Sequence, residues 1–337
     1  MTARRIPHAG LLHVDDLHVQ FPVHSSMLRR SDLVVRAVDG VTLTVQQGET
    51  VGLVGESGCG KTTLGWTVLR LIRPTAGRVL FDGTDLAKLG GSALRRFRRH
   101  LQIIFQDPYG SLNPRMTVFN IVGEAMRVHG LVRSGREQRD RVSSLLEMVG
   151  LRTDFMFRYP HELSGGQRQR IGVARALALE PRFLVADEPL SALDVSIQAQ
   201  IVNLIKDIQE KLHLAMLFIS HDLKMVKFLS HTIAVMYLGR IVETAPADDL
   251  FLHPLHPYTR ALMEAIPVPD PLAPWRPTPL EGEIPSPIDP PAGCGFGTRC
   301  PHVFDRCGHD DPRLLEASPG HMVACHLVST REAAGKA

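Results

Sequence analysis

At 337 residues, with 44% hydrophobic and 22% charged side chains, the chain has the composition of a globular protein and the length for one large domain plus an appendage, or for two domains. A net charge of +3 is too small to argue for nucleic acid or a membrane surface as partner, and no apolar run approaches the ~20 residues of a bilayer-spanning helix. The N-terminus, with Pro7, His8 and Asp15-Asp16, lacks the apolar stretch of a signal peptide, so the expected compartment is the cytosol, where five cysteines favour thiol, metal or cluster chemistry over disulfides.

In chain order, Leu17-His18-Val19-Gln20-Phe21 and Val41-Thr42-Leu43-Thr44-Val45 alternate apolar and polar side chains, which predicts strands of a half-buried antiparallel sheet. The polar stretch Arg29-Arg30-Ser31-Asp32 between them reads as a loop, and residues 77–82 predict a further strand closing that sheet. Thr50-Val51-Gly52-Leu53-Val54 is short, apolar and β-branched, a buried strand. It runs into Gly55-Glu56-Ser57-Gly58-Cys59-Gly60-Lys61-Thr62, which fits the phosphate-cradling pattern G-x-x-x-x-G-K-[ST]. Residues 62–72 are free of proline and place Leu64, Val68, Leu69 and Ile72 at helical spacing. Strand, glycine loop and helix together form an anion site: backbone N–H groups converge on a polyphosphate and the helix N-terminus adds favourable partial charge. Lys61 is placed to reach the β- and γ-phosphates and the Thr62 hydroxyl to hold Mg²⁺, with Thr63 beside it in the cradle. Cys59 within this loop reads as a small space-filler, and Arg95-Arg96-Phe97-Arg98-Arg99 as a solvated helix face.

Leu101-Gln102-Ile103-Ile104-Phe105 predicts a core strand ending at Gln106-Asp107-Pro108. Residues 117–178 are mostly helical by pattern, with Val142, Leu145, Leu146 and Val149 along one face. Within them Leu163-Ser164-Gly165-Gly166-Gln167 opens a helix with Ser164 as N-cap, a second anion-seeking helix start. One bound nucleotide does not need two such starts; a head-to-tail pair of subunits, each lending its second site to the other's nucleotide, would use both. A strand over residues 183–186 delivers Asp187-Glu188. The first carboxylate can hold Mg²⁺ and the second can polarise a water, although an acidic turn before Pro189 is the simpler alternative for this pair alone. A helix over 195–212, striped by Ile197, Ile201, Leu204, Ile205, Ile208 and Leu212, and strands over 215–219 and 233–237 complete the pattern. Strands alternating with helices predict an α/β core with a parallel sheet covered on both faces, and a nucleotide at the strands' carboxyl ends.

Ten prolines fall between Ile266 and Pro291, so this window reads as an extended linker. Beyond it Cys294, Cys300, Cys307 and Cys325 occupy a segment with too few apolar residues for a core of its own, which suggests a metal staple. Zinc sites of four cysteines typically pair them a few residues apart, a pairing absent here, whereas Fe–S clusters tolerate wider spacing; a disulfide pair or free thiols rank third.

Residues 55–62, Gln106, Leu163-Ser164-Gly165-Gly166-Gln167, Asp187-Glu188, Ser191-Ala192-Leu193-Asp194 and His221 stand in the order and surroundings found in the ATP-binding subunits of ABC transporters, which the chain resembles over about residues 11–265. The resemblance implies an α/β P-loop ABC ATPase core with an antiparallel β subdomain and a helical subdomain at about 107–178, followed by a linker over 266–291 and a small Cys-rich extension over 292–328. It implies that Gln106 senses Mg²⁺ and the attacking water, that Asp187 and Thr62 hold Mg²⁺, and that Glu188 activates water. It further implies that His221 contacts the γ-phosphate, that Ser164, Gly165, Gly166 and Gln167 close on the ATP of an opposing subunit, and that Asp194 signals across the dimer. Phe21 stands where the family places an adenine-stacking aromatic, though its strand alternation also suits a core residue. No motif is degenerate, so the subunit is expected to be catalytically competent.

Gln106-Asp107-Pro108-Tyr109-Gly110-Ser111-Leu112-Asn113-Pro114, His256-Pro257-Tyr258-Thr259 and the Pro-rich, Cys-bearing tail are similar to stretches in dipeptide and oligopeptide importers. That narrower likeness implies a 4Fe-4S cluster on the four tail cysteines, with zinc as second choice. It also implies a paralogous ATPase partner, two integral-membrane permeases, an extracytoplasmic solute-binding protein, and a peripheral place on the cytoplasmic face of the inner membrane. Importers of nickel or glutathione share these features. A soluble ABC ATPase of translation or DNA repair is the competing class, but the second cassette or coiled-coil insertion usual there is missing; a redox or iron sensor on an ATPase scaffold is a third.

Overall fold

The computed structural model describes residues 10–26, 29–266 and 280–328. Pro7 and His8, read against a signal peptide, and the proline-richest part of the linker, 267–279, lie outside them.

Alternating side chains along β1 (Leu12–Ser26) and β2 (Arg29–Val45) make a long antiparallel hairpin, with Leu12 opposite Val45 and Ser26 opposite Arg29. Arg29, Arg30, Ser31 and Asp32, expected to be a loop, are therefore part of β2. Polar sequence is no bar to a hairpin arm whose backbone bonds are made across the pair. β3 (Thr50–Val54) is buried throughout and leads into α1 (Lys61–Val68). The helix ends four residues short of Ile72 because Arg70 takes a left-handed conformation, φ 57°. β4 (Ala76–Phe81) pairs with β1 and the short β5 (Thr84–Asp85) follows, giving a sheet of order β2-β1-β4-β5. α2 (Gly91–Arg98) carries the exposed arginines.

β6 (Leu101–Ile104) begins the second half. It is followed by the helices α3 (Val118–Val128), α4 (Gly135–Met148) and α5 (Gly165–Leu177). Then come β7 (Phe183–Asp187), α6 (Val195–Leu212), β8 (Ala215–Ile219), α7 (Leu223–Leu229) and β9 (Thr232–Tyr237). β10 (Arg240–Pro246), α8 (Ala247–Leu252) and α9 (Pro257–Glu264) close the cassette. The tail adds α10 (Asp305–His309), β11 (Leu315–Ser318) and β12 (His321–Val323).

The main sheet has the order β11-β12-β10-β9-β3-β8-β7-β6. β9, β3, β8, β7 and β6 are parallel as expected; β10, β12 and β11 continue the sheet antiparallel. β6, predicted as a core strand, is the sheet's edge, and only Leu101 and Ile104 of it are buried. The period of two sends alternate residues of each buried strand to opposite faces. Met216 and Phe218 of β8 join the core under α3–α7, whereas Leu217 and Ile219 join a second core beneath the antiparallel sheet and α1.

The tail completes the cassette instead of building a core of its own. β12 pairs with β10, Glu243 opposite Val323, and Phe296 sits in the first core at 1% exposure. The fully buried Glu243 carboxylate accepts from the Leu255 and His256 N–H groups at 2.7 and 3.0 Å and meets His321 Nε2 at 2.7 Å. It thereby ties β12 to the start of α9. Among the described residues no helix is long and apolar enough to cross a membrane.

Candidate active site

The loop between β3 and α1 owes its shape to backbone freedom at two glycines. Gly55 and Gly60 have φ 151° and 106°, and a Cβ on either would collide with the carbonyl of Met236 or of Ala37. Lys61, 5% exposed, donates from Nζ to the carbonyls of Gly55 and Glu56, both at 2.9 Å, and lies 3.8 Å from Cys59 Sγ. A buried ammonium held at the loop's mouth is a fixed positive charge facing any anion the loop receives.

β7 carries Asp187 to the same place. Its carboxylate accepts from the Thr62 hydroxyl at 2.9 Å and from Trp66 Nε1 at 3.0 Å. Burial raises its pKa, an effect only partly offset by these hydrogen bonds. Oxygen donors from Thr62 and Asp187 side by side form the kind of set a hard divalent cation takes. Glu188, next in sequence, is held left-handed at φ 44°, with its N–H donating to Ile219 O at 2.9 Å and its carbonyl accepting from the Ser191 hydroxyl at 3.1 Å. A non-glycine in this region stores about 1–3 kcal/mol, which the surrounding bonds sustain. The Glu188 carboxylate accepts from Gln106 Nε2 at 3.0 Å and stands 3.5 Å from His221 Nδ1. Loops after β6, β7 and β8 thus converge on one carboxylate, at the carboxyl ends of parallel strands.

The other expected residues are placed as follows. Ser164 caps α5 reciprocally: its hydroxyl accepts from the Gln167 N–H at 3.3 Å, and the Gln167 side chain accepts from the Ser164 N–H at 3.0 Å. Among the described residues no hydrogen bond joins Ser164, Gly165, Gly166 or Gln167 to the phosphate loop or to Glu188. Asp194 is exposed at the start of α6. Phe21 is 40% exposed and pairs with Val35, two residues before the Ala37 carbonyl that packs on Gly60; it is not a core residue.

Two contacts on the phosphate loop escaped the sequence reading. Tyr258, fully buried in α9, accepts at its hydroxyl from the Glu56 N–H at 2.8 Å, and Arg299 makes a bidentate ion pair with the Glu56 carboxylate at 2.7 and 3.1 Å. Hydrogen bonds to Glu56 raise the Arg299 pKa. The His-Pro-Tyr-Thr stretch was the available signal for Tyr258; no local pattern announces Arg299.

Cys294, Cys300, Cys307 and Cys325 are all free thiols. The Cys294 N–H donates to Cys307 O at 2.8 Å. Burial pushes the Cys294 thiol up to about 11, and Cys307, Cys325 and Cys300 each add to the rise. Among the described residues no three His, Cys, Asp or Glu side chains are grouped so as to hold one metal ion.

A family model described as ABC transporter matches residues 38–191, and one described as oligopeptide/dipeptide transporter, C-terminal region, matches residues 242–307. The oligopeptide transport ATP-binding protein AppF of Bacillus subtilis is 48% identical over 322 residues, covering 95% of this chain and 98% of its own length. A Sinorhizobium fredii protein named as a peptide ABC transporter ATP-binding protein, y4tS, is 51% identical over 96% of this chain and 92% of its own. This chain belongs to the ATP-binding proteins of peptide ABC transporters. It is an ABC-type ATPase cassette in fold as well as sequence. The dimeric ATP-binding cassette MJ0796, solved in a post-hydrolysis state with ADP and phosphate, has a TM-score of 0.63 and 28% identity, covering 70% of this chain and 98% of that one. These relatives favour the peptide-transport reading over the soluble, nickel and glutathione alternatives.

Proposed function

We propose that this ABC ATPase powers import of dipeptides or oligopeptides, with its cassette over about residues 11–265 and helical subdomain over about 107–178. In this reading residues 55–63 cradle the ATP phosphates, Lys61 neutralises the β- and γ-phosphates, and Phe21 stacks on adenine. Thr62, Asp187 and Gln106 hold Mg²⁺, whose charge offsets that of the phosphates. Glu188 accepts the proton of a water as its oxygen bonds to the γ-phosphorus and the bond to the bridging oxygen breaks, giving ADP and phosphate. Gln106 and His221 hold that carboxylate from two sides. The observation that carries the assignment is the meeting of Gln106, Glu188 and His221 beside Asp187 and the Lys61 loop.

In this family reading Ser164, Gly165, Gly166 and Gln167, a second anion-seeking helix start, serve the nucleotide of a second ATPase subunit, a paralogue, with Asp194 signalling between the two. ATP-driven closure of that pair is coupled to two permeases and a solute-binding protein, which places this chain on the cytoplasmic face of the membrane.

On the tail's likeness to the peptide importers, Cys294, Cys300, Cys307 and Cys325 are assigned to a 4Fe-4S cluster with zinc as second choice, although among the described residues they are not grouped as a metal site. Such a cluster would staple the segment beyond the 266–291 linker and supply a one-electron redox centre.

The test is purification of the native protein with its membrane. The expected result is a complex with integral-membrane subunits whose ATPase rates rise when peptide-loaded binding protein is added. Recovery as a free protein with unstimulated ATPase would overturn the proposal.

A further inference from the structure

The phosphate loop carries a carboxylate of its own. Glu56 follows Gly55 directly, its carbonyl accepts from Lys61 Nζ at 2.9 Å, and its side chain is 25% exposed. A loop built to receive phosphates gains nothing from an unpaired anion. Its charge is met by Arg299, whose side chain is 6% exposed, through two hydrogen bonds of 2.7 and 3.1 Å, and the guanidinium also lies 6.0 Å from the centre of the Tyr237 ring. Arg299 ends the short turn Gly297–Arg299 and immediately precedes Cys300. The residue that neutralises the phosphate loop thus comes from the cysteine-bearing tail, 243 positions away.

We propose that Arg299 is a positioning residue for ATP binding, which fixes and neutralises Glu56 and so makes nucleotide affinity depend on the seating of the C-terminal segment. This rests on the ATP-site reading and extends it to a part of the chain outside the cassette. Without Arg299 the Glu56 carboxylate repels the incoming phosphates. Removing both charges restores the electrostatic balance.

Equilibrium binding of Mg·ATP and steady-state KM and kcat are measured on the purified protein, Arg299→Ala, Arg299→Lys and the double variant Arg299→Ala/Glu56→Gln, at low and high salt. A unit charge interacting across a partly exposed protein site shifts affinity by roughly tenfold. Arg299→Ala is expected to weaken Kd and raise KM about that much, with kcat changed far less. Arg299→Lys, which keeps the charge and loses the fork, is expected to fall between it and the unaltered protein. The double variant is expected to recover most of the loss, and high salt to narrow the gap left by Arg299→Ala. A double variant as weak as Arg299→Ala would mean a structural role only, and an unchanged Kd in Arg299→Ala and Arg299→Lys would remove the role altogether. If Arg299→Ala does not fold, an unchanged Kd in Arg299→Lys overturns the proposal and a raised one supports it. Failure of the unaltered protein to bind Mg·ATP would overturn the ATP-site reading itself, and this inference with it.

Discussion

Gln106 and Glu188 meet amide to carboxylate at 3.0 Å although 82 positions separate them in the chain. The pairing of β6 with β7, Ile104 opposite Ala186, makes the meeting unavoidable, because both residues lie just beyond the same end of neighbouring parallel strands. If Glu188 is the base, Glu188→Gln keeps the shape and loses the proton acceptor. ATP binding is then retained while turnover falls by ~10²–10⁴-fold. Nucleotide binding and phosphate release on the same preparation check this, and near-normal turnover would remove Glu188 from the role.

Asp187 accepts from Thr62 and Trp66 through separate oxygens. Asp187→Asn has one acceptor oxygen where the carboxylate has two, so one donor loses its partner at a cost of about 1–3 kcal/mol, and the charge that attracts Mg²⁺ disappears. The variant is expected to melt lower and to need at least about tenfold more Mg²⁺ for half-maximal ATPase. A Mg²⁺ titration matching that of the unaltered protein would contradict the metal assignment.

The assignment of the Ser164 cap to a second subunit's nucleotide leads to a prediction about concentration. ATP hydrolysis per mole of protein is expected to rise with protein concentration until the pair is saturated. Ser164→Ala loses about 1 kcal/mol of helix capping, and its turnover is expected to drop even where binding of ATP to the isolated chain is unchanged. Full activity in a strictly monomeric preparation, with Ser164→Ala as active as the parent, would refute the two-body site.

The phosphate loop, Asp187-Glu188 and the Ser164 cap were legible because each is a local pattern: glycines where φ must be positive, a carboxylate after four apolar residues, a hydroxyl three residues before a glutamine. Helix α6 was legible for the same reason, its apolar stripe repeating at helical spacing. What local pattern could not give was partnership. Arg29 to Asp32 look like a loop until β1 supplies their backbone partners. Leu101-Gln102-Ile103-Ile104-Phe105 reads as a core strand, yet the topology leaves it at the edge. The tail is too short of apolar residues for a core of its own, and Phe296 and Val323 find their neighbours in the cassette. Arg299 is one arginine among many until the fold brings it to Glu56.

If the tail thiols ligate a cluster, anaerobically purified protein is expected to be brown with absorption in the near-ultraviolet and visible. Burial holds the free Cys294 thiol protonated at neutral pH, with a pKa of about 11, so ligation must displace its proton. Cys294→Ser is expected to be colourless. A colourless parent protein carrying stoichiometric zinc would replace the cluster with zinc.

His256 is a buried imidazole whose protonation opposes folding in acid. It is 1% exposed, it caps α9 by accepting from the Tyr258 N–H at 3.1 Å, and burial drives its pKa from 6.5 to about 3. Its neighbours include the Phe296 ring, 5.6 Å away, and the Glu243 carboxylate, which accepts from its backbone N–H. Between about pH 6.5 and 3 the unfolded chain binds a proton here that the folded chain does not, so stability is lost as pH falls through that window and is unaffected by this group above it. The slope approaches ~1.4 kcal/mol per pH unit. His256→Asn keeps a capping acceptor and removes the titration. Urea unfolding at pH 7 and pH 5 is expected to show a smaller loss of stability in the variant than in the parent. Equal losses would mean that His256 is not the group that protonation of the unfolded chain exploits.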